Sequence, residues 1–137
     1  MPEEVLKNTL RKNRLYRTSE RTYIFQVLNE QQNPCTFTEL VNLASKVADR
    51  STVYRTMQVF EEIGVVSRGR RGNESTFELS ELFSPHHHHM TCTNCGIIIS
   101  FEEPDSFTRE LKKLEQKHGF KAQSHSLELK GLCTDCC

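Results

Sequence analysis

Apolar residues recur along this chain first at helical spacing and then at strand spacing, and the change of period divides it in two. Val5, Leu6, Thr9 and Leu10 outline a short amphipathic helix, and Ile24, Val27 and Leu28 outline a second that begins after Thr18. Asn33-Pro34 is placed to end that second helix. Thr36-x-x-Glu39 has the form of a capping box, followed by Leu40, Leu43, Ala44 and Val47 as the buried stripe of a third helix. Val53, Met57, Phe60 and Ile63 share one face of a fourth helix over 51–63, which Gly64 is placed to stop. Val65-Val66 and residues 76–79 then read as two strands joined by a tight basic loop over 68–73. Helices followed by a hairpin predict a winged helix-turn-helix. Beyond Ser84-Pro85, strands are expected at 89–92, 97–101 and 124–130, with Phe107, Leu111 and Leu114 marking a helix that Gly119 ends. The fold class is therefore α+β, with an amino-terminal winged-helix domain over 1–83 and a small α/β domain over 84–137.

Charge changes this picture only locally. Lysine plus arginine equals aspartate plus glutamate at 18 each in 137 residues, so the global balance is silent about nucleic acid. Arg11, Lys12, Arg14, Arg17 and Arg21 nevertheless cluster against the single acid Glu20, and the wing carries Arg68, Arg70 and Arg71 where a hairpin tracks a phosphate backbone. The start of the fourth helix turns Ser51, Thr52, Tyr54 and Arg55 outward, the layout of a recognition helix: the Tyr54 ring edge suits a thymine methyl and Arg55 suits guanine or phosphate. The bland alternative for each is ordinary solvated surface. No apolar run approaches a membrane span and no export signal is visible, so a soluble, cytoplasmic protein is expected, with no membrane partner and no small organic substrate.

The chemistry concentrates in the second half. Six cysteines in a chain of this kind read as metal ligands rather than disulfides. Cys92-x-x-Cys95 and Cys133-x-x-Cys136 are two zinc knuckles, each offering two sulfurs from one turn; Cys137 is an alternative to Cys136, disfavoured by the matched spacing. The run His86 to His89, if extended, sends alternate rings to opposite faces, so His86 and His88 serve one site and His87 and His89 another. Partners are sought among His125, Glu78, Cys35 and the acids over 102–110. The alternative for the run is a polar linker.

Several motifs together give the chain a highly specific resemblance to the ferric uptake regulator family. They are Arg17-Thr18-x-x-Arg21, Ser51-Thr-Val-Tyr-Arg55, Phe77-Glu78-Leu79, the histidine run with Cys92-x-x-Cys95-Gly96, and His118-Gly119 to His125-Ser126-Leu127 ahead of Cys133. The resemblance implies a metal-responsive transcriptional regulator, usually a repressor, whose second domain dimerises the chain and whose homodimer closes on a palindromic double-stranded operator. It implies a structural zinc on Cys92, Cys95, Cys133 and Cys136, a regulatory Zn, Fe(II) or Mn(II) on Glu78, His87, His89 and a ligand from the first domain, and a further site on His86, His88 and His125. A peroxide-sensing member of the same family is one alternative. A zinc-dependent hydrolase is the alternative from another class, weakened by the division of the histidines between two faces and by the lack of a His-Glu-x-x-His motif.

The chain departs from the family pattern at informative places. Cys35 stands where many members have histidine, and is taken as the first-domain ligand, against the alternative that it packs on Leu40. Ser100 stands for an acid of the regulatory site, although Glu102 is near. Thr108 stands for the helix glutamate of the further site, where Asp105, one turn earlier, is the expected substitute. Arg14 replaces the usual glycine before the second helix and Tyr16 a usual basic residue, leaving Arg14 or Arg17 as the expected minor-groove contact.

Overall fold

The computed structural model describes residues 1–137 and contains two compact units, Met1–Pro85 and His86–Cys137. The first unit runs α1 (Pro2–Lys12), α2 (Ser19–Glu30), β1 (Cys35–Thr36), α3 (Phe37–Leu43), α4 (Arg50–Glu62), β2 (Val66–Arg71) and β3 (Glu74–Leu79). Its sheet has the order β1-β3-β2, all antiparallel. One core fills it, with Phe25, Phe60, Leu6, Leu10, Ile24, Leu40, Val53 and Val65 fully buried. Truncating a ring such as Phe60 to alanine in such a core costs about 3 to 5 kcal/mol.

Local chemistry sets the helix ends. Pro2 occupies the first turn of α1, where its missing N–H costs nothing. That helix ends in a Schellman-type turn, with Leu15 N–H on the Leu10 carbonyl at 2.9 Å, Arg14 N–H on that of Arg11 at 3.1 Å, and Arg14 itself at φ +58. The position taken by Arg14 is thus one that suits glycine. Thr18 caps α2 and Asp49 caps α4. The capping box at the start of α3 is complete: Glu39 N–H donates to Thr36 Oγ1, and Thr36 N–H donates to Glu39.

Two expectations for this unit change. In α3 the buried position is Leu40, followed beyond the helix by Ala44 and Ala48, whereas Leu43 and Val47 are 43% and 44% exposed. The helix ends at Leu43, so its short buried stripe is the i, i+4 row alone. The basic stretch read as a loop is strand: pairing continues to Arg71↔Glu74, and only Gly72-Asn73 turns. Gly72 supplies the positive φ (+62) needed at the first central position of a II′ hairpin. Alternation puts Arg71, paired with Glu39 at 2.6 Å, on the opposite face from Arg68 and Arg70; of these two, Arg68 is laid over the Phe77 ring at 4.9 Å and Arg70 is exposed.

The second unit contains β4 (His87–Cys92), β5 (Ile98–Glu102), α5 (Asp105–His118) and β6 (Glu128–Gly131). β4 is central, antiparallel to β5 and parallel to β6. The strand expected over 124–130 is shorter: only 128–131 pairs, with His89 to Cys92 of β4. Gly119, at φ +60, closes α5 as expected. Few side chains of this unit are buried: Cys92, Ile98 and His88 are, while α5 buries none. Met90, Ile99 and Leu129 are register neighbours across the three strands and remain 37%, 45% and 46% exposed.

Candidate metal centres and nucleic-acid interface

The two cysteine knuckles come together because β6, lying parallel to β4, carries the chain back to the end of β4 where the first knuckle begins. Sulfurs of Cys92, Cys95, Cys133 and Cys136 all lie within 4.8 Å of one another. Cys95 and Cys133 are 3.7 Å apart, against roughly 3.8 Å expected for two thiolates on a tetrahedral zinc with bonds of about 2.3 Å. Backbone N–H groups of Cys95 and Cys133 point at Cys92 Sγ and pull its thiol down to about 6. At Cys95 the N–H of Ile97 favours the thiolate, yet the neighbouring Cys92, Cys133 and Cys136 sulfurs hold it up at about 11. Four crowded sulfurs cannot all ionise without a cation, and their softness and spacing fit zinc. Cys137 is exposed outside this cluster.

Strand alternation divides the histidines as expected. His87 and His89 lie on one face of β4, ring centroids 4.9 Å apart, with Glu102 and Ser100 as their register partners on β5. The Ser100 hydroxyl is buried and has no hydrogen-bond partner, an unmet polar demand beside His89 that suits a site meant to be filled. Glu78 is half-buried on β3 of the first unit, opposite Ser67.

The other face holds His86 and the fully buried His88. Here the acid is Glu103, not Asp105. Ring nitrogens of His86, His88 and His125 and a Glu103 oxygen lie within 4.8 Å of one another. His86 Nε2 is 3.0 Å from His125 Nε2, and Glu103 Oε1 is 2.6 Å from His125 and 3.3 Å from His88. The reason is register. Phe101 pairs with His88, so two residues on, Glu103 returns to the His86 and His88 face, and Pro104 after it favours extended backbone there. Asp105 opens α5 and belongs to its first turn. Thr108 Oγ1 donates to Glu103 Oε2 at 3.0 Å. Burial works against the Glu103 charge, but the hydrogen bonds from Thr108, His88 and His125 hold its carboxyl below the ordinary range. The acid lies within the stretch over 102–110, and the register of β5 against β4 decides which acid it is.

Cys35 sits in β1 opposite Phe77, 5% exposed, within the hydrophobic core of its unit. Burial, followed by the Glu39 carboxylate, pushes its thiol up to about 11. These surroundings favour the packing alternative over the ligand role expected for it.

In the first unit α4 turns Arg50, Ser51, Tyr54, Arg55 and Gln58 to solvent, with Thr52 half-exposed. Between this face and the hairpin lies an open groove of about 790 Å³ lined by Phe37, Arg50, Tyr54, Arg55, Arg68 and Ser75 among others. Tyr54 is held edge-on to Phe37 and accepts from Gln58 Nε2 at 3.2 Å, while Arg50 stacks on Phe37 at 5.0 Å. Arg68 is committed to Glu61 through two guanidinium nitrogens, which leaves Arg70 as the wing's free-standing cation for a phosphate. Arg17 reaches Glu3 and Thr22, and Arg21 the Tyr16 carbonyl. Arg14 and Tyr16 are exposed.

Residues 12–130 match the ferric uptake regulator family model. The chain is 35% identical to the ferric uptake regulation protein of Campylobacter jejuni over 142 aligned positions, covering 97% of this chain and 87% of that one. Its structure superposes on the Vibrio cholerae ferric uptake regulator with a TM-score of 0.74 at 31% identity, covering 92% of this chain and 98% of the other. The Helicobacter pylori regulator, described as having three functional metal binding sites, gives a TM-score of 0.83 at 24% identity, with 99% and 93% covered; at that identity the likeness speaks for the fold.

Proposed function

The chain belongs to the ferric uptake regulator family, and on that premise we propose that it is a dimeric repressor that grips a palindromic operator when a regulatory metal joins its two units. Members of this family are metal-responsive transcription regulators and not enzymes, which displaces the hydrolase alternative. Zinc on Cys92, Cys95, Cys133 and Cys136 is the structural metal of the reading. It supplies a cross-link to a unit with little apolar core of its own. The exposed Met90, Ile99 and Leu129 row and the unburied apolar side chains of α5 suit a second copy of the chain.

Glu78, His87 and His89 are the proposed regulatory ligands. They draw on both units, so a metal that binds them selects one arrangement of the two, and operator affinity changes only as far as the metal distinguishes the arrangements. Two imidazoles and a carboxylate accept Zn, Fe(II) or Mn(II). The α4 face with Ser51, Thr52, Tyr54 and Arg55 reads bases, Arg70 meets phosphate, and Arg14 or Arg17 contacts the adjacent groove.

The observation that carries this reading is the α4 face itself: Arg50, Ser51, Tyr54, Arg55 and Gln58 turned outward beside a basic hairpin, on a helix whose other face is committed to the core. The test is operator selection from random duplexes followed by titration with each metal, using protein that retains its structural zinc. Coupling of about 1 to 3 kcal/mol predicts a gain of roughly 5- to 150-fold in operator affinity. A response below about twofold for every metal, or its survival in His89→Ala, removes the regulatory site.

A further inference from the structure

The second unit returns from α5 to β6 through residues 120–127, a stretch without helix or strand whose side chains are exposed except that of Leu127, which is half-buried. It is held near its start, where Ala122 N–H donates to Glu115 Oε1 at 2.6 Å, and near its end, where His125 meets His86 and Glu103. Along it runs a groove of about 550 Å³ between this segment and α5, lined by Leu111, Leu114 and Phe120. His125 is the one member of its four-residue cluster that belongs to this segment. His86 and His88 belong to β4 and its approach, and Glu103 to the end of β5.

Donors from three separate stretches of chain converge there. Two imidazole nitrogens 3.0 Å apart can share a proton or face one cation, and bound to a tetrahedral metal they would stand roughly 3.3 Å apart. Glu103 divides its oxygens: Oε2 takes the Thr108 hydroxyl and Oε1 faces the histidines. Such an outer hydroxyl fixes which oxygen a carboxylate presents to a metal.

We propose that Glu103, set by Thr108 on α5, is the anionic ligand of the His86, His88 and His125 site, and that metal bound there pins the 120–127 segment along α5. Thr108 is a positioning residue. It replaces a carboxylate on the helix by orienting one that precedes it, so helix, sheet and return segment share one fastening. The proposal rests on the family reading for the presence of a metal at this face, but not on any effect of that metal on DNA.

Lys121 lies exposed within the segment and gives a direct readout. Full-length protein retaining its four-cysteine zinc, in a His89→Ala background that silences the opposite face, is titrated with Zn(II) or Co(II). Metal affinity and the rate of tryptic cleavage after Lys121 are both followed. Metal at about 100 times its Kd should slow that cleavage about 100-fold if cleavage proceeds from the metal-free population. Glu103→Gln should abolish most of the binding, Thr108→Val should weaken it about 10- to 100-fold, Thr108→Ser should restore it, and Asp105→Asn should bind as the parent does. Parent-like binding by Glu103→Gln, or an equal loss in Asp105→Asn, overturns the ligand assignment. Tight binding without protection at Lys121 overturns the fastening. Survival of metal-dependent operator binding in the His89→Ala parent counts against the proposed function alone, so the two readings fail separately.

Discussion

Cys35→Ala separates two roles that one buried sulfur can play. The thiol is 5% exposed and its pKa stands at about 11 against an ordinary 9.0, two units that correspond to about 3 kcal/mol of extra cost for making the thiolate, or roughly 100-fold less of it at a given pH. A ligand must be deprotonated to bind, so a metal on His87 and His89 gains affinity from Cys35 only after meeting that cost. The core reading predicts that Cys35→Ala leaves regulatory-metal affinity within about twofold, measured by competition with a chelator. It also predicts a loss of about 1 kcal/mol in urea unfolding of the first unit, the order expected for removing one methylene-sized buried group. The pH dependence provides a second handle. A Cys35 that stays in the core contributes no slope of metal affinity against pH. A thiol ligand instead releases a proton on binding and raises affinity about tenfold per pH unit. A tenfold loss of affinity in Cys35→Ala together with that slope would falsify the core reading and return Cys35 to the ligand set.

Arg14→Gly should stabilise the first unit by about 0.5 to 1 kcal/mol, because relief of a left-handed arginine, about 1 to 2 kcal/mol, exceeds the entropy glycine adds to the unfolded chain; a lower denaturation midpoint contradicts the strain at φ +58. Arg70→Ala should weaken operator and random DNA alike and reduce the slope of log affinity against log salt by about one. Arg55→Ala should cost about 1 to 3 kcal/mol on the operator only, and equal losses on both duplexes would reassign Arg55 to phosphate. Cys95→Ser, or strong chelation, should remove the structural zinc and with it the far-ultraviolet signal and amide protection of the second unit, while those of the first unit persist. Retention of a protected β4 without zinc would mean that the metal is not what holds that unit.

Features that depend on spacing and residue type within a short stretch are legible along the chain. The capping box at Thr36 and Glu39, the buried row of α4, the end of α5 at Gly119 and the pairing of knuckles at Cys92 and Cys133 all follow from a few residues and the period of helix or strand. So does the division of the histidine run, since alternation along β4 needs no knowledge of the rest of the chain. Other features belong to the tertiary structure because they depend on which strand lies opposite which. Register β4 to β5 put Glu103 rather than Asp105 beside His88 and left the Ser100 hydroxyl unpartnered across from His89. Pairing of β1 with β3 placed Cys35 against Phe77 in the core, where burial raised its thiol. Extension of the hairpin to Gly72 turned a basic loop into a strand, engaged Arg68 and Arg71 with Glu61 and Glu39, and left Arg70 exposed. A one-residue change of register reverses every side chain on a strand, and that is why the cysteines and histidines of each site could be read along the chain while the acid beside His88 and the place of Cys35 could not.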